Sequence, residues 1–122
     1  MARILVVDDD PNVVEIVRYV ATKAGHEILE AGNGRNGLLQ AKNGLPDLII
    51  LDVMMPEMDG FTLHNRLLAD EATKRIPIII LTAKGHMRDS FLGSPNIKAY
   101  MDKPFEPQDL QDNIQSILQS KR

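Results

Sequence analysis

Residues 4–9 read Ile4-Leu5-Val6-Val7-Asp8-Asp9, an unbroken apolar run that stops on two carboxylates. Two further runs share the pattern, Leu48-Ile49-Ile50-Leu51 closing on Asp52 and Ile78-Ile79-Ile80-Leu81 closing on Thr82. None alternates polar with apolar. Continuous runs of this length are what parallel strands look like when helices cover both faces of a sheet. Glu27-Ile28-Leu29-Glu30-Ala31 is a weaker strand whose alternation suits an edge, and Ala99-Tyr100-Met101 is a short fifth.

Helical stretches lie between the strands. Asp10-Pro11 opens the first, with Asp as N-cap and Pro at the first helical position. Val13, Ile16, Val17, Val20 and Ala24 then repeat on one face up to Gly25. A second helix runs from about Gly34 to Asn43 and stops at Gly44; a third starts near Asp59-Gly60 and carries Phe61, Leu63, Leu67 and Leu68. The last begins at Glu106-Pro107 and buries Leu110, Ile114, Ile117 and Leu118. Strands alternating with helices along the whole chain predict a doubly wound α/β fold on a parallel sheet.

Composition bounds the rest. The 122 residues correspond to one domain at a prior of roughly 150 residues per domain. With no cysteine there are no disulfides, thiolate metal sites or thiol nucleophiles, which fits a cytoplasmic setting. Fourteen Lys+Arg against 17 Asp+Glu give a net charge of −3, against direct nucleic-acid binding. No apolar run is long enough to span a membrane.

In open α/β sheets the reactive crevice lies beyond the carboxyl ends of the strands. Those ends carry Asp8, Asp9 and Asp10, then Asp52, Thr82 and Lys103. Taken singly, Asp10 is a helix cap, Thr82 a loop hydroxyl and Lys103 a solvated charge. Gathered on one rim they are something else. Ionised carboxylates that close repel one another, and a hard divalent cation with oxygen-only ligands relieves this best. A cation together with the Lys103 ammonium suits a phosphoryl group in transfer, and Asp52 is a natural nucleophile for it.

The motifs carrying these residues resemble the receiver domain of two-component response regulators. They are Ile4-Leu5-Val6-Val7-Asp8-Asp9, Asp52-Val53-Met54-Met55-Pro56-Glu57-Met58-Asp59-Gly60, Leu81-Thr82-Ala83 and Tyr100-Met101-Asp102-Lys103-Pro104-Phe105. They follow in order from about residue 3 to residue 119. The resemblance implies a flavodoxin-like five-stranded sheet of order 2-1-3-4-5 with five flanking helices. It makes Asp52 the phosphorylated residue. Asp9, Asp52 and the Met54 backbone carbonyl would hold Mg²⁺, or Mn²⁺ in its place, with Asp8 acting through water. Lys103 would bind the phosphoryl group, Thr82 and Tyr100 would be the switch pair, and Met54 and Lys84 would tune phosphoryl lifetime. A cis peptide is common in the family at the position of Lys103-Pro104.

The implied partners are a sensor histidine kinase or histidine phosphotransfer protein and a downstream protein target, with no nucleic acid and no membrane. The implied chemistry is the domain's own phosphorylation and dephosphorylation, without small-molecule turnover. The chain as written has no output domain after its last helix. This fits a single-domain receiver, and equally a receiver cut from a longer regulator or hybrid kinase.

The sequence departs from the family pattern between Thr82 and Lys103. A full fourth helix and a Gly-Ala pair usually stand there, whereas Gly93, Ser94 and Pro95 cut any helix short. A short or irregular fourth helix is expected. Two rival readings use the same residues. Asp8-Asp9-Asp10 contains the D-x-D of haloacid-dehalogenase-type phosphatases, but Asn12 stands where that family has Thr or Val, and its members are longer. A receiver-like module that binds partners without phosphorylation would be expected to lack a site residue, and all five are present. Of the histidines, His26 is expected at the surface and His64 partly packed, and His86 lies near the site; the phosphoryl donor histidine belongs to the partner.

Overall fold

The computed structural model describes residues 2–52, 60–83 and 96–120. Five strands, β1 (Arg3–Val7), β2 (Glu27–Ala31), β3 (Leu48–Asp52), β4 (Ile78–Ala83) and β5 (Ile97–Lys103), form one parallel sheet ordered β2-β1-β3-β4-β5. The weaker strand β2 lies at an edge, as its alternation predicts. Among the described residues there are four helices: α1 (Pro11–Lys23), α2 (Gly34–Gly44), α3 (Gly60–Leu68) and α4 (Pro107–Ser120). The stretch 84–95, where the irregular extra helix is expected, lies outside the described residues.

The three apolar runs lack alternation because both faces of the sheet are covered. Ile4, Val6, Leu48, Ile50, Ile79 and Leu81 pack under Val13, Val17 and Val20 of α1 and Leu110, Ile114 and Ile117 of α4. Their sequence neighbours Leu5, Val7, Ile49, Leu51, Ile78 and Ile80 face the other way, onto Ala41 of α2 and Leu63 and Leu67 of α3. Fully burying a side chain of this size stabilises by about 1.5–3 kcal/mol, so a strand that buries all of its residues needs no polar face.

Local signals hold at most helix ends. Asp10 caps α1, its Oδ1 accepting a hydrogen bond from the Asn12 amide at 2.9 Å, and Gly25 past the helix end has φ 88°. The end of α2 differs from expectation. Gly44 is still helical, and the left-handed residue is Leu45, with φ 44°. Strand β5 starts two residues earlier than its apolar triplet indicates. The Lys103–Pro104 peptide is cis.

Candidate phosphoryl and metal site

The site is built at the carboxyl ends of β1, β3 and β5. Asp8 directly follows β1, and its amide donates to the Ala31 carbonyl at 3.0 Å, so the chain is still held by the sheet where the carboxylate leaves it. Asp8 Oδ1 accepts from the Asp10 amide at 2.9 Å. The turn that caps α1 therefore also aims Asp8, a use of Asp10 that no sequence signal identified. Asp52 is the last residue of β3, paired in register with Leu81. Asp9 points to solvent while Asp8 and Asp52 are buried.

Lys103 ends β5, opposite Ala83. Its Nζ lies 2.9 Å from Asp8 Oδ2 and 3.3 Å from Asp52 Oδ2. The Lys103 side chain is 22% exposed, against 0% for Asp8 and 5% for Asp52. Burial alone would lower the lysine pKa. The hydrogen bond and charge of Asp8, then those of Asp52, outweigh it and hold the ammonium above its ordinary range. Lys103 is thus a fixed cation at any physiological pH.

Carboxylate oxygens of Asp8, Asp9 and Asp52 all lie within 4.8 Å of one another. Apart from the Lys103 ammonium, no donor among the described residues reaches the buried Asp8 Oδ2. An oxygen-only set with one under-satisfied buried atom fits a hard divalent cation. The cluster supports a divalent metal site.

The remaining predicted residues fall into two groups. Thr82 lies in β4, in register with Asp102, and Tyr100 lies in β5 opposite Ile80 and packs partly buried against the α2/α3 face of the sheet. The structure therefore puts both in the two neighbouring strands that run up to the acidic rim. Met54 and Lys84 lie outside the described residues, as does His86. His26 is half-buried rather than at the surface, its Nδ1 accepting from the Ala2 amide at 3.0 Å. His64 is buried in α3, away from the strand ends, and takes no part in the site.

A protein-family model described as the response regulator receiver domain matches residues 4–115. The chain belongs to this family. It is a phosphoacceptor receiver domain of two-component signalling. Among curated relatives it is 35% identical to the protein PilH of Pseudomonas aeruginosa over 119 residues, covering 97% of this chain and 98% of PilH. It is 38% identical to the DNA-binding dual master transcriptional regulator RpaA of Synechocystis sp. over 119 residues, 97% of this chain but only 49% of RpaA. The receiver thus spans about half the length of RpaA and nearly the whole of PilH. Among solved structures, the response regulator TrrA of Thermotoga maritima in complex with Mg²⁺-BeF has a TM-score of 0.83 at 36% identity, covering 96% of this chain and 99% of that one.

Proposed function

We propose that this receiver accepts a phosphoryl group on Asp52 from a phosphohistidine of a sensor histidine kinase or a histidine phosphotransfer protein, and then engages a downstream protein target. The observation that carries this is the convergence of the Asp8, Asp9 and Asp52 oxygens within 4.8 Å, with Lys103 Nζ 2.9 and 3.3 Å from two of them. The TrrA complex with Mg²⁺-BeF supports the assignment of Mg²⁺ to this donor set.

An Asp52 carboxylate oxygen attacks phosphorus as the phosphorus–nitrogen bond of the donor breaks, and the freed imidazole keeps the electron pair and takes up a proton. Held already against Asp52, Lys103 needs only a small shift to meet a phosphoryl oxygen, so it neutralises charge without reorganising. Asp9 and Asp52, with the Met54 carbonyl, would hold the cation and Asp8 would act on it through water, while Asp8 restrains Lys103. A bound Mg²⁺ would supply positive charge that offsets the negative charge spread over the equatorial phosphoryl oxygens during transfer.

Thr82 and Tyr100 form the switch. Thr82 donates to the phosphoryl group, and Tyr100, packed in the neighbouring strand, repacks in response, biasing a pre-existing equilibrium. Met54 and Lys84 set how long the phosphoryl group lasts. The domain catalyses its own phosphorylation and dephosphorylation and turns over no small molecule, and it acts in the cytoplasm.

The test is phosphotransfer from a cognate kinase with Mg²⁺ to the wild type and to Asp52→Asn. Label on the wild type and none on the variant is expected; label on both sinks the assignment of Asp52.

A further inference from the structure

Three asparagines of this chain are followed directly by glycine: Asn33-Gly34, Asn36-Gly37 and Asn43-Gly44, all in or beside α2. At such a step a chain can attack its own side chain. The glycine amide nitrogen reaches the asparagine side-chain carbonyl carbon, and glycine has no β-carbon to hinder the approach. Ring closure needs that nitrogen free of a hydrogen bond and the backbone able to turn between the two residues. The sequence makes the three steps alike; the fold does not.

Asn36-Gly37 and Asn43-Gly44 are held. Both lie in the helix, whose backbone bonds engage the glycine amides. The amide of Gly37 donates to the Asn33 carbonyl at 2.9 Å. Packing closes on both glycines as well. A β-carbon at Gly37 would lie 2.9 Å from a Val7 methyl, and one at Gly44 would lie 2.6 Å from Leu29 Cδ1, so turning the backbone there drives it into side chains. The Gly44 carbonyl also accepts from Arg3 Nη1 at 2.6 Å.

Asn33-Gly34 differs. Asn33 is the N-cap of α2, outside the helix, with an extended backbone at φ −156° and ψ 170°. Gly34 opens the helix, and its amide belongs to the first-turn donors that a helix leaves without a partner. No acceptor among the described residues takes it. Gly34 is buried, so closure waits on fraying of the first turn. That fraying releases two bonds to Asn33, from the Asn36 amide to Oδ1 at 2.8 Å and from the Gly37 amide to the carbonyl at 2.9 Å.

We propose that Asn33 is a self-modification site, deamidating in the folded protein through a cyclic imide formed with Gly34, ahead of the other two steps. The Gly34 nitrogen gives up its proton and bonds to Cγ of Asn33, and the side-chain nitrogen leaves as ammonia. Water then opens the imide at one carbonyl or the other, to aspartate or isoaspartate. The aspartate product suits its place, since Asp caps a helix as well as Asn does and its charge meets the positive end of the helix dipole. It also adds a carboxylate to the strand-end rim, beside Gly32, which lines one cavity together with Asp8 and Asp9.

Trypsin places the three steps in separate peptides, 24–35, 36–42 and 43–66, so mass spectrometry ranks them directly. The folded protein is held at mildly alkaline pH, sampled over days and digested briefly near neutrality. Peptide 24–35 should gain one dalton, with aspartate and isoaspartate forms separated by chromatography, on the order of tenfold faster than either other peptide, the margin between a fraying helix end and a packed helix interior. Asn33→Ser keeps a capping oxygen and should show no gain in that peptide while the other two behave as in wild type. Asn33→Asp should fold and match or exceed the wild-type midpoint in urea. Conversion of 36–42 or 43–66 first or at the same rate would overturn the proposal, as would an unchanged 24–35 in the protein while the same sequence converts as a free peptide. An Asn33→Asp midpoint below that of wild type would overturn the fit of the product to the cap.

Discussion

Replacing Lys103 with methionine isolates the charge at the centre of the site, since methionine keeps an unbranched apolar stem and removes only the ammonium. The structure sets the size of the effect. Two contacts at 2.9 and 3.3 Å join Nζ to carboxylates that are 0% and 5% exposed. At such distances each attraction is roughly 5 kcal/mol at an effective dielectric of about 20, before the desolvation of the ions is subtracted. Removing one partner of a buried pair costs about 3–5 kcal/mol, because a charge is left behind without compensation. Lys103 is 22% exposed, so the lower end applies, about 3 kcal/mol. In urea at pH 7.5 without divalent cations, the midpoint should fall by roughly 2 M. Adding millimolar Mg²⁺ should raise the midpoint of the variant more than that of the wild type, because in the variant the Lys103 ammonium no longer faces the Asp8 and Asp52 carboxylates. The pH dependence has a definite sign. The folded pKa of Lys103 is raised, so its stabilisation is fully present below the unfolded value of 10.5 and is lost as the pH climbs through the higher folded value. Wild type and variant should therefore differ by a constant amount from pH 7 to about 10 and converge only above that. An apo variant within about 0.5 kcal/mol of wild type would refute the reasoning, since that is the worth of an exposed ion pair.

Two further outcomes are expected. A β-carbon at Gly37 of α2 would lie 2.9 and 3.0 Å from the two Val7 methyls and 3.3 Å from Leu63 Cδ2. Overpacking costs about 1–3 kcal/mol against about 1 kcal/mol gained in helix propensity, so Gly37→Ala should lower stability by about 1 kcal/mol in urea unfolding; a stabilised variant would contradict this. Burial lowers the pKa of His26, whose Nδ1 must be unprotonated to accept from the Ala2 amide. Its contribution is intact above the unfolded value of 6.5 and falls as the pH drops toward the lower folded value, so unfolding midpoints should decline from pH 7 to pH 5.5 less steeply in His26→Asn. Equal slopes would show that His26 does not carry this dependence.

The order of the strands explains why one rim collects the chemistry. In a 2-1-3-4-5 sheet β1 and β3 are adjacent at the centre, so the residues that follow them, Asp8 and Asp52, are neighbours without any long-range positioning. Their backbone is fixed by ladder hydrogen bonds up to the last residue, which lets two like charges be buried side by side. Lys103 arrives from the far edge, two strands away from β3, and its approach demands a particular strand register.

That difference decides what could be read from the sequence. The runs 4–7, 48–51 and 78–81 announce buried strands through their own composition, and Asp10-Pro11 announces a helix start, because each signal is contained in a few consecutive residues. The carboxylates and Lys103 were legible as the residues that follow such runs. The start of β5 was not, since Ile97-Lys98 has no apolar pattern of its own and joins the sheet beside Ile78, next to an irregularity in the β4–β5 register. His64 likewise reads locally as a polar residue on an apolar helix face, and its buried ring meets Asn96, a partner 32 residues away that no local pattern announces. The left-handed Leu45 after α2 ran against the glycine preference for the same reason. Gly44 lies inside the helix, where an added β-carbon would come within 2.6 Å of Leu29 Cδ1. Where a residue answers to a neighbour in space, its type ceases to report its place in the chain.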